Sequence, residues 1–377
     1  MAFELQRRGH NVSVMTAIPD YPKGKFFDGY GIFKRRREVI NGVKVHRSMI
    51  IPRGDGSAIR LALNYLSYTF FATIKAFWFG FTRRYDAIIV HETSPVMVGI
   101  PAVIIKKMHK IPMYFWVLDL WPESLSAAGG IKNRYIIGIF EKLTKWIYDN
   151  SNTILISSKG FRKSINQKGE YDHKIKYFPN WIDQIEPAEE VVLSYPRGFN
   201  IVFTGNIGDA QDFPHILEAL KKLKGLPINF IIIGDGRNRQ WVEKYIAEYG
   251  LTNVKCFGRF PIEFMPKFYR QADVLFLALK DNPIFSLTVP AKLQAYMSSG
   301  KPVVAMINGE GAELIREADC GWSVPAEDSD ALAQLLIQLS KEDKAILVQK
   351  GENGKIFSKQ HFQFKDCMDN LERVLQN

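Results

Sequence analysis

The chain has 377 residues, of which 46% are apolar and 24% charged. This composition is typical of a globular protein and excludes a disordered one. The length exceeds what one hydrophobic core usually serves, so two domains are expected. The net charge of +11 is uneven, because residues 1–183 hold 28 Lys and Arg against 14 Asp and Glu, whereas residues 184–377 hold 22 against 25. A basic half would suit a polyanionic surface, either nucleic acid or an anionic membrane face, although scattered solvated lysines give the same total.

Two further features restrict the class of protein. The cysteines, Cys256, Cys320 and Cys367, are widely separated and odd in number, which favours core thiols in a reducing compartment over a disulfide framework or a zinc cluster. The first ten residues lack the apolar stretch of a secretory signal. Residues 61–81 contain one charge, Lys75, but several polar side chains dilute the segment, so a buried or interfacial helix is predicted rather than a membrane span.

Short β-branched or aromatic runs alternate with helical patterns from one end of the chain to the other. Eleven strands are predicted, at residues 11–17, 43–49, 86–91, 112–118, 153–157, 174–178, 200–205, 228–234, 253–257, 273–278 and 302–306. Nearly continuous apolar runs, as at residues 230–233 and 274–277, are typical of parallel strands covered on both faces. This order predicts a doubly wound α/β fold, formed twice.

The alternating pattern lapses at Asp183, where the domain boundary is predicted. The first domain would comprise residues 1–183, a linker residues 184–199, and the second domain residues 200–357, with a C-terminal helix at 358–377 returning to the first domain. At the N-terminus, a helix end with Gly9 precedes the first strand. A Rossmann-type domain has a strand and a glycine-rich loop before that helix, so the sequence predicts a truncation of about 20 to 30 residues.

Two glycine turns follow strands in the second half. The stretch from Gly205 to Gly208 ends one predicted strand and precedes a helix, and Gly234 and Gly236 end the next strand. Free backbone N–H groups and a helix N-terminus together form a site suited to phosphate. Glycine at a strand end often serves only a tight turn, but two such turns in one domain favour a nucleotide.

A third stretch carries groups that suit the same anion. Thr288 and the residues around Pro290 offer hydroxyl and amide donors, and Lys292 lies in the first turn of the helix that follows. Its ammonium could reach the same anion. The alternative is a solvated lysine on an ordinary helix.

Six motifs now stand in one order along the chain: Arg8-Gly9-His10, residues 119–124 (DLWPES), residues 179–183 (PNWID), residues 205–208 (GNIG), residues 288–292 (TVPAK) and residues 296–302 (YMSSGKP). In this order they resemble the group 1 glycosyltransferases, family four, of the GT-B fold. The likeness covers essentially the whole chain. It is greatest to the fucosamine-transferase-like branch, which acts on lipid-linked glycans in surface-polysaccharide assembly.

This resemblance implies an α/β fold of two Rossmann-like, doubly wound domains facing a central cleft. The second domain would bind a nucleotide-sugar donor, uridine-linked and with an N-acetylated amino sugar, and the first would bind the acceptor. Transfer in this family retains the anomeric configuration and needs no metal or other cofactor. The acceptor of the branch is an undecaprenyl-diphosphate-linked saccharide, so the resemblance implies a cytoplasmic protein that is peripheral at the inner face of the membrane, which would account for the basic first half.

The chain departs from the family pattern at several positions. The family's pair of glutamates, eight residues apart, falls on Leu287 and Ala295, and its Arg and Lys after the first donor-domain strand fall near Asn206 and Gln211. The diphosphate charge would then depend on Lys292, Arg259 and helix N-termini. The donor-binding candidates are Gly205, Asn206, Gly208, Gln211, Gly234, Gly236, Arg259, Thr288 and Lys292.

The catalytic candidates lie at strand ends of the first domain, because the carboxyl end of a strand in an open α/β sheet points into the binding crevice. Asp119 could orient an acceptor hydroxyl or stabilise an oxocarbenium-like centre. Many family members have a His-Asp pair here, of which the His corresponds to Leu118. Glu123 is either catalytic or the cap of the next helix, and His91 is either a proton carrier or a hydrogen-bonded loop histidine. Asp328 and Asp330 match a metal signature but precede a helical run, which predicts an N-cap.

The sequence therefore predicts a retaining, metal-independent glycosyltransferase acting on a lipid-linked saccharide. Two alternatives stay open: a nucleotide-sugar 2-epimerase on the same architecture, and an inactive module that binds nucleotide or membrane. Nucleic-acid binding has no support from a recognition motif.

Overall fold

The computed structural model describes residues 1–127, 133–182, 185 and 193–376. The chain divides into two compact units. Unit 1 comprises Met1–Ser157, Phe161–Phe178 and the residues from Met368 on, and unit 2 comprises Ser158–Gly160 and Pro179–Cys367.

The predicted boundary at Asp183 and half of the predicted linker, residues 184–199, lie outside the described residues. The predicted C-terminal helix, residues 358–377, is divided in the structure. One helix ends at His361 and another begins at Phe364, and of these only the residues from Met368 on belong to unit 1.

Unit 1 contains two small sheets with helices between their strands. Its elements are α1 (Ala2–Arg7), β1 (Ser13–Ala17), β2 (Arg37–Ile40), β3 (Val43–Ser48), α2 (Ala58–Thr82), β4 (Ile88–Glu92), α3 (Gly99–His109), β5 (Met113–Val117), α4 (Glu123–Ala127), α5 (Arg134–Asn150), β6 (Thr153–Ile156), α6 (Phe161–Asn166) and β7 (Ile175–Tyr177). One sheet has the order β1-β3-β2, with β2 antiparallel to β3, and the other is parallel with the order β4-β5-β6-β7. Every residue of β5 is buried, which is why its sequence is continuously apolar.

Unit 2 is built on one parallel sheet of six strands. Its elements are β8 (Phe199–Asn206), α7 (Phe213–Lys222), β9 (Ile228–Asp235), α8 (Arg239–Glu248), β10 (Val254–Gly258), α9 (Met265–Gln271), β11 (Val274–Ala278), α10 (Pro283–Ser286), α11 (Ala291–Ser298), β12 (Val303–Met306), α12 (Glu310–Glu317), β13 (Gly321–Val324), α13 (Ser329–Leu339), α14 (Lys344–His361) and the start of α15 (Phe364–Gln376). The strand order is β10-β9-β8-β11-β12-β13, which is the Rossmann order 3-2-1-4-5-6.

Both faces of this sheet are buried. Phe203, Phe230 and Phe276 pack in one apolar cluster, while their neighbours Val202 and Ile231 pack in a second cluster on the other face. A parallel sheet with apolar layers on both faces is the doubly wound arrangement that the sequence predicts. The order in which successive strands are added to the sheet reverses between β8 and β11, which are parallel, so the crevice outside the carboxyl ends of these strands is the expected ligand position.

All eleven predicted strands are present, with ends shifted by one or two residues. Two strands were not predicted, β2 and β13. The residues before and in β2 are the basic run Lys34–Arg37, which does not alternate with apolar residues, and β13 has four residues and stands at the edge of its sheet.

The segment 61–81 is helical, as predicted, and lies within α2. Among the helices that the structure describes, none is long and apolar enough to cross a membrane.

Smaller predictions are also met within the described residues. Cys256, Cys320 and Cys367 are free thiols, and the last two are buried. Asp328 caps α13, because its carboxylate accepts a hydrogen bond from the backbone N–H of Ala331 over 2.8 Å. The side chain of Asp330 instead pairs with Lys222 on the neighbouring helix.

Candidate functional site

The carboxyl ends of β8 and β9 lie side by side in unit 2, and glycine is required where they meet. Gly205 pairs with Gly234 in the parallel register. A Cβ at Gly234 would overlap the carbonyl oxygen of Gly205. Gly205 itself has a φ of +117°, a conformation that side chains other than glycine rarely adopt. The two predicted glycine turns therefore form one continuous backbone surface.

The turn after β8 is fixed by its own polar side chains. Gln211 Oε1 accepts hydrogen bonds from the Asn206 side-chain amide and from the Gly208 backbone N–H, both over 3.2 Å. A Cβ at Gly236 would lie 2.7 Å from the Asn206 side-chain oxygen, so the turn after β9 closes against the turn after β8. Asn206 and Gln211, the neutral replacements for the family's cations, thus hold the turn in shape and contribute no charge.

Lys292 projects from the first turn of α11 onto this glycine surface. A Cβ at Gly205 would lie 2.9 Å from Lys292 Nζ, and Nζ stands 4.1 Å from the centre of the Phe203 ring. Within the part of the chain that the structure describes, the Lys292 ammonium has no carboxylate partner and no hydrogen-bond acceptor. Burial lowers the pKa of Lys292 to about 8. A half-buried cation without an anion, at the carboxyl edge of a Rossmann sheet, is a strong site for a bound anion.

Buried hydroxyl groups fix the helix that carries Lys292. The backbone N–H of Thr204, at the end of β8, donates to the Tyr296 hydroxyl over 3.0 Å, and the Thr204 and Tyr296 hydroxyls are 3.1 Å apart. The Tyr269 hydroxyl lies 3.3 Å from that of Thr204. Tyr296 is one turn from Lys292 on α11, so these contacts hold the lysine over β8 and leave it little freedom to move away.

Two other predicted donor-binding residues are placed differently. The Thr288 hydroxyl donates to the carbonyl oxygen of Ile284 over 2.9 Å, so only its lone pairs are left for a ligand. Arg259 is exposed and follows β10, the edge strand beyond β9. No hydrogen bond or ion pair among the described residues directs the Arg259 guanidinium toward the Gly205 turn.

In unit 1, Asp119 follows β5, and three side chains hold its carboxylate. Ser124 and Trp121 donate hydrogen bonds to it, the latter over 3.2 Å, and Ser94 donates a third. Burial nevertheless raises the pKa of Asp119 above its ordinary value. The backbone N–H of Leu120 adds a fourth donor. A carboxylate offers about four acceptor positions, so these donors orient the group and satisfy most of its capacity.

The residue that sequence reasoning missed is Glu92, the last residue of β4. Its side chain is 1% exposed, and its Oε2 accepts a hydrogen bond from the backbone N–H of Asp119 over 3.3 Å. Its Oε1 is buried without a hydrogen-bond partner among the described residues. Burial raises the pKa of Glu92 well above the ordinary value, and the neighbouring Asp119 carboxylate raises it further. Both effects favour the neutral, protonated form of Glu92 beside Asp119.

The other two catalytic candidates lie apart from this pair. Glu123 opens α4, and its Oε1 accepts hydrogen bonds from Ser164 over 2.6 Å and from Lys168 over 2.5 Å. It is thus held by a hydrogen bond from α6 and by a salt bridge to Lys168, which follows α6. His91 points to the opposite face of β4 from Glu92, packs its ring edge against Trp116 at 4.9 Å, and has a pKa lowered by desolvation.

A cavity of about 580 Å³ also opens in unit 1. Its lining includes Glu123 and Lys168 but not Asp119. The cavity therefore lies at the salt bridge between Glu123 and Lys168 and is separate from the carboxyl pair.

Comparison with known protein families assigns both halves of the chain. Residues 1–181 match the model described as the glycosyl transferase 4-like domain, and residues 198–342 match the model described as glycosyl transferases group 1. The protein is therefore a glycosyltransferase of the GT-B fold, with two Rossmann-like domains. More particularly, a glycosyl transferase 4-like domain comes first in the sequence and a glycosyl transferases group 1 domain follows it.

Curated relatives cover most of the chain at low identity. The probable glycosyltransferase WbjE of Pseudomonas aeruginosa is 26% identical over 277 residues, which cover 70% of this chain and 68% of that protein. The putative colanic acid biosynthesis glycosyl transferase WcaI of Escherichia coli K12 is 23% identical over 314 residues, or 78% of this chain and 75% of that protein.

Solved structures share the fold. The sucrose-phosphate synthase of Thermosynechococcus elongatus superposes with a TM-score of 0.75 at 17% identity, covering 99% of this chain and 91% of that one. HepE of Anabaena, in complex with UDP and glucose, gives a TM-score of 0.67 at 14% identity, covering 89% and 87%.

Proposed function

We propose that this glycosyltransferase moves a sugar from a uridine diphosphate donor to a lipid-linked saccharide during synthesis of a surface polysaccharide. The donor sugar is an N-acetylated amino sugar, and transfer retains its anomeric configuration without a metal ion. The resemblance of the sequence motifs to the fucosamine-transferase-like branch supports the choice of donor and acceptor class. The proposal rests on one observation above the others, the unpaired ammonium of Lys292 against the Gly205 turn.

The chemistry of that site fits a departing diphosphate. As the bond between sugar and phosphate breaks, negative charge grows on the diphosphate oxygens. A cation that is already fixed in place, and poorly hydrated, stabilises that charge without reorganising. Lys292 meets both conditions, and the backbone of the Gly205 and Gly234 turns allows a ligand to approach closely. The solved relative that holds UDP supports a uridine nucleotide.

The acceptor class is supported from the other half of the chain. WcaI is named for colanic acid biosynthesis, which supports a role in polysaccharide synthesis. The first half contains 28 basic and 14 acidic residues, and this excess of positive charge favours a diphosphate-linked acceptor at an anionic membrane.

Isothermal titration with UDP tests the donor site. We expect UDP to bind with EDTA present, and Lys292→Met to weaken binding by about 10- to 100-fold, the cost of one charge-assisted hydrogen bond. Lys255→Met is the matched control, because Lys255 is exposed on β10 of the same unit. Equal UDP affinity in Lys292→Met and the parent protein would refute the assignment of Lys292.

The product identifies the reaction. UDP-sugars incubated with lipid-linked saccharide extracted from membranes should yield a lengthened lipid-linked glycan, and NMR of its new linkage should show the donor's anomeric configuration. An epimerised donor formed without any acceptor would instead favour an epimerase. Requirement for a divalent cation would contradict the metal-independent part of the proposal.

A further inference from the structure

Helix α2 exposes an apolar face along its whole length. Eight large apolar side chains on it are exposed: Ile59, Leu63, Leu66, Phe70, Ile74, Phe77, Trp78 and Phe81. The spacing of three or four residues places them on one side of the helix. The exposed fractions reach 61% for Trp78 and 80% for Phe81. At a rise of 1.5 Å per residue, this stripe is roughly 33 Å long.

The opposite side of α2 is already used. Asn64, Ala72, Ala76 and Phe79 are buried, and the Asn64 side chain donates to Ile51 O and to Asp20. A helix on the surface of a globular protein normally turns a polar face to water, whereas α2 turns its apolar residues both inward and outward. An exposed apolar stripe of this size marks a surface that another body covers.

Basic residues are concentrated in and next to this helix in the sequence. Residues 30–85 contain 11 Lys and Arg but two acidic residues, Glu38 and Asp55. Arg60 stands in the first turn of α2, Arg84 is the second residue after its end, and both are exposed.

The basic run Lys34–Arg37 lies near the side of α2 that carries Lys75 and the buried Phe79. Arg36 and Arg37 both help to lower the pKa of Lys75, which lies within the helix. Arg37 pairs in register with His46, whose ring packs on Phe79 of the helix at 4.9 Å. The Glu38 carboxylate forms a salt bridge with the Arg47 guanidinium over 2.5 Å. Among the described residues, Glu38 therefore does not neutralise Lys34 or Arg37.

We propose that α2 lies flat in the surface of an anionic lipid bilayer, with Ile59 to Phe81 among the acyl chains and the surrounding lysines and arginines at the phosphate groups. This inference builds on the proposed lipid-linked acceptor, and it names the element that brings the enzyme to it. A helix that buries one face in its own domain and offers lipid the other has the geometry of an interfacial anchor.

The charge distribution favours a lipid bilayer over a second copy of the chain as the partner of this surface. In a symmetric dimer through α2, the same basic surface would face itself, and like charges would oppose association. An anionic bilayer instead supplies apolar contact and negative charge together.

Sedimentation with vesicles tests the proposal. The 377-residue chain should bind vesicles made of equal parts phosphatidylcholine and phosphatidylglycerol, and bind phosphatidylcholine alone weakly. The variant Phe70→Gln, Phe77→Gln, Phe81→Gln should bind the anionic vesicles about tenfold more weakly or worse. The matched control Ile346→Gln, Val348→Gln, Ile356→Gln replaces three exposed apolar residues of α14 and should bind as the parent does.

Trp78 gives a second readout on the unchanged surface. Lipids brominated on their acyl chains should quench part of the tryptophan fluorescence, and Trp78→Phe should remove that part. Quenching that is the same with and without Trp78, or equal vesicle binding by the α2 and α14 variants, would overturn the proposal. So would a dimer in light scattering that the α2 variant dissociates.

Titration with UDP on the same proteins separates the two proposals. UDP binding without vesicle binding would refute the role of α2 and leave the donor site standing. Vesicle binding without UDP binding would refute the proposed function and leave the surface assignment standing.

Discussion

Lys292 carries a charge that the folded protein does not neutralise by itself. Burial lowers its pKa from 10.5 to about 8. Below pH 8 the lysine is protonated in both the folded and unfolded states, and folding bears the full cost of desolvating it. Between about pH 8 and 10.5 the folded state releases the proton first, so this cost fades and stability rises with pH. The protein thus keeps a destabilising group at the place where a diphosphate would bind.

Lys292→Met should therefore stabilise the protein while disabling the donor site. At pH 7 we expect the free energy of unfolding of the ligand-free protein to rise by about 1–3 kcal/mol, because a buried cation is replaced by an apolar chain of similar length. The gain should shrink at pH 9.5. Urea unfolding at both pH values measures it, with Lys255→Met as the control, and a destabilised Lys292→Met would contradict the interpretation.

Glu92 shows the opposite sign of pH dependence. Its pKa in the folded state is raised above 4.5 by burial and by Asp119. At low pH the carboxyl group is neutral in both states, but as the pH rises the unfolded state ionises first, so stability falls. Glu92→Gln, which keeps a neutral side chain of the same shape, should be more stable than the parent at pH 7.5 and equal to it near pH 4. Unfolding at the two pH values tests this, and a Glu92→Gln protein less stable at pH 7.5 would show that Glu92 is ionised.

The same pair of residues shows what sequence can and cannot predict about a site. The end of β4 was recognisable as a crevice position, and His91 was chosen there for its chemistry. Adjacent residues of a strand point to opposite faces, and periodicity alone does not tell which face meets the next strand end. Glu92, not His91, contacts the Asp119 backbone. The candidates Lys292 and Gly205 did not depend on which face of a strand a side chain occupies, because a glycine turn and a lysine in the first turn of a helix are recognisable from the sequence alone.

At the scale of elements, the turn after β8 depends on the absence of a side chain. Gly205→Ala would meet two obstacles, a φ of +117° and the Lys292 side chain. Gly225→Ala is a matched control, because Gly225 has a φ of +87° but nothing within 4 Å of the added Cβ. Both variants should lose about 1 kcal/mol or more of stability to backbone strain. Only Gly205→Ala should also weaken UDP binding, by about tenfold or more, and equal UDP affinity in the two variants would contradict this.

The strands were the most predictable elements. Buried parallel strands such as β5 and β11 are continuous apolar runs, and all eleven predicted strands are present. β2 escaped prediction because it is held by its antiparallel pairing to β3 rather than by an apolar pattern of its own. β13 escaped because it is a four-residue edge strand with one buried residue. For α2 the helix itself was predictable, but its outward apolar face was not, since which side a helix buries depends on its neighbours.

For the whole molecule, the uneven charge is the property that acts over the longest distance from the surface. Residues 1–183 have a net charge of +14 and the remaining residues −3. Charge of this kind attracts an anionic membrane over about one Debye length, which is about 8 Å at physiological salt. The apolar stripe of α2 acts only on contact and does not depend on salt. The two contributions to membrane binding can therefore be separated by ionic strength.

Raising NaCl from 0.05 to 0.5 M should weaken binding of the full chain to anionic vesicles by about tenfold or more, because each screened cation contributes on the order of 1 kcal/mol. Some binding should persist at the higher salt, and the Phe70→Gln, Phe77→Gln, Phe81→Gln variant should lose that remainder. Lys34→Gln, Arg35→Gln, Arg37→Gln should do the reverse, with less binding at low salt and an unchanged remainder at high salt. If salt abolished binding of the parent protein completely, charge alone would hold it to the membrane and α2 would have no part in it.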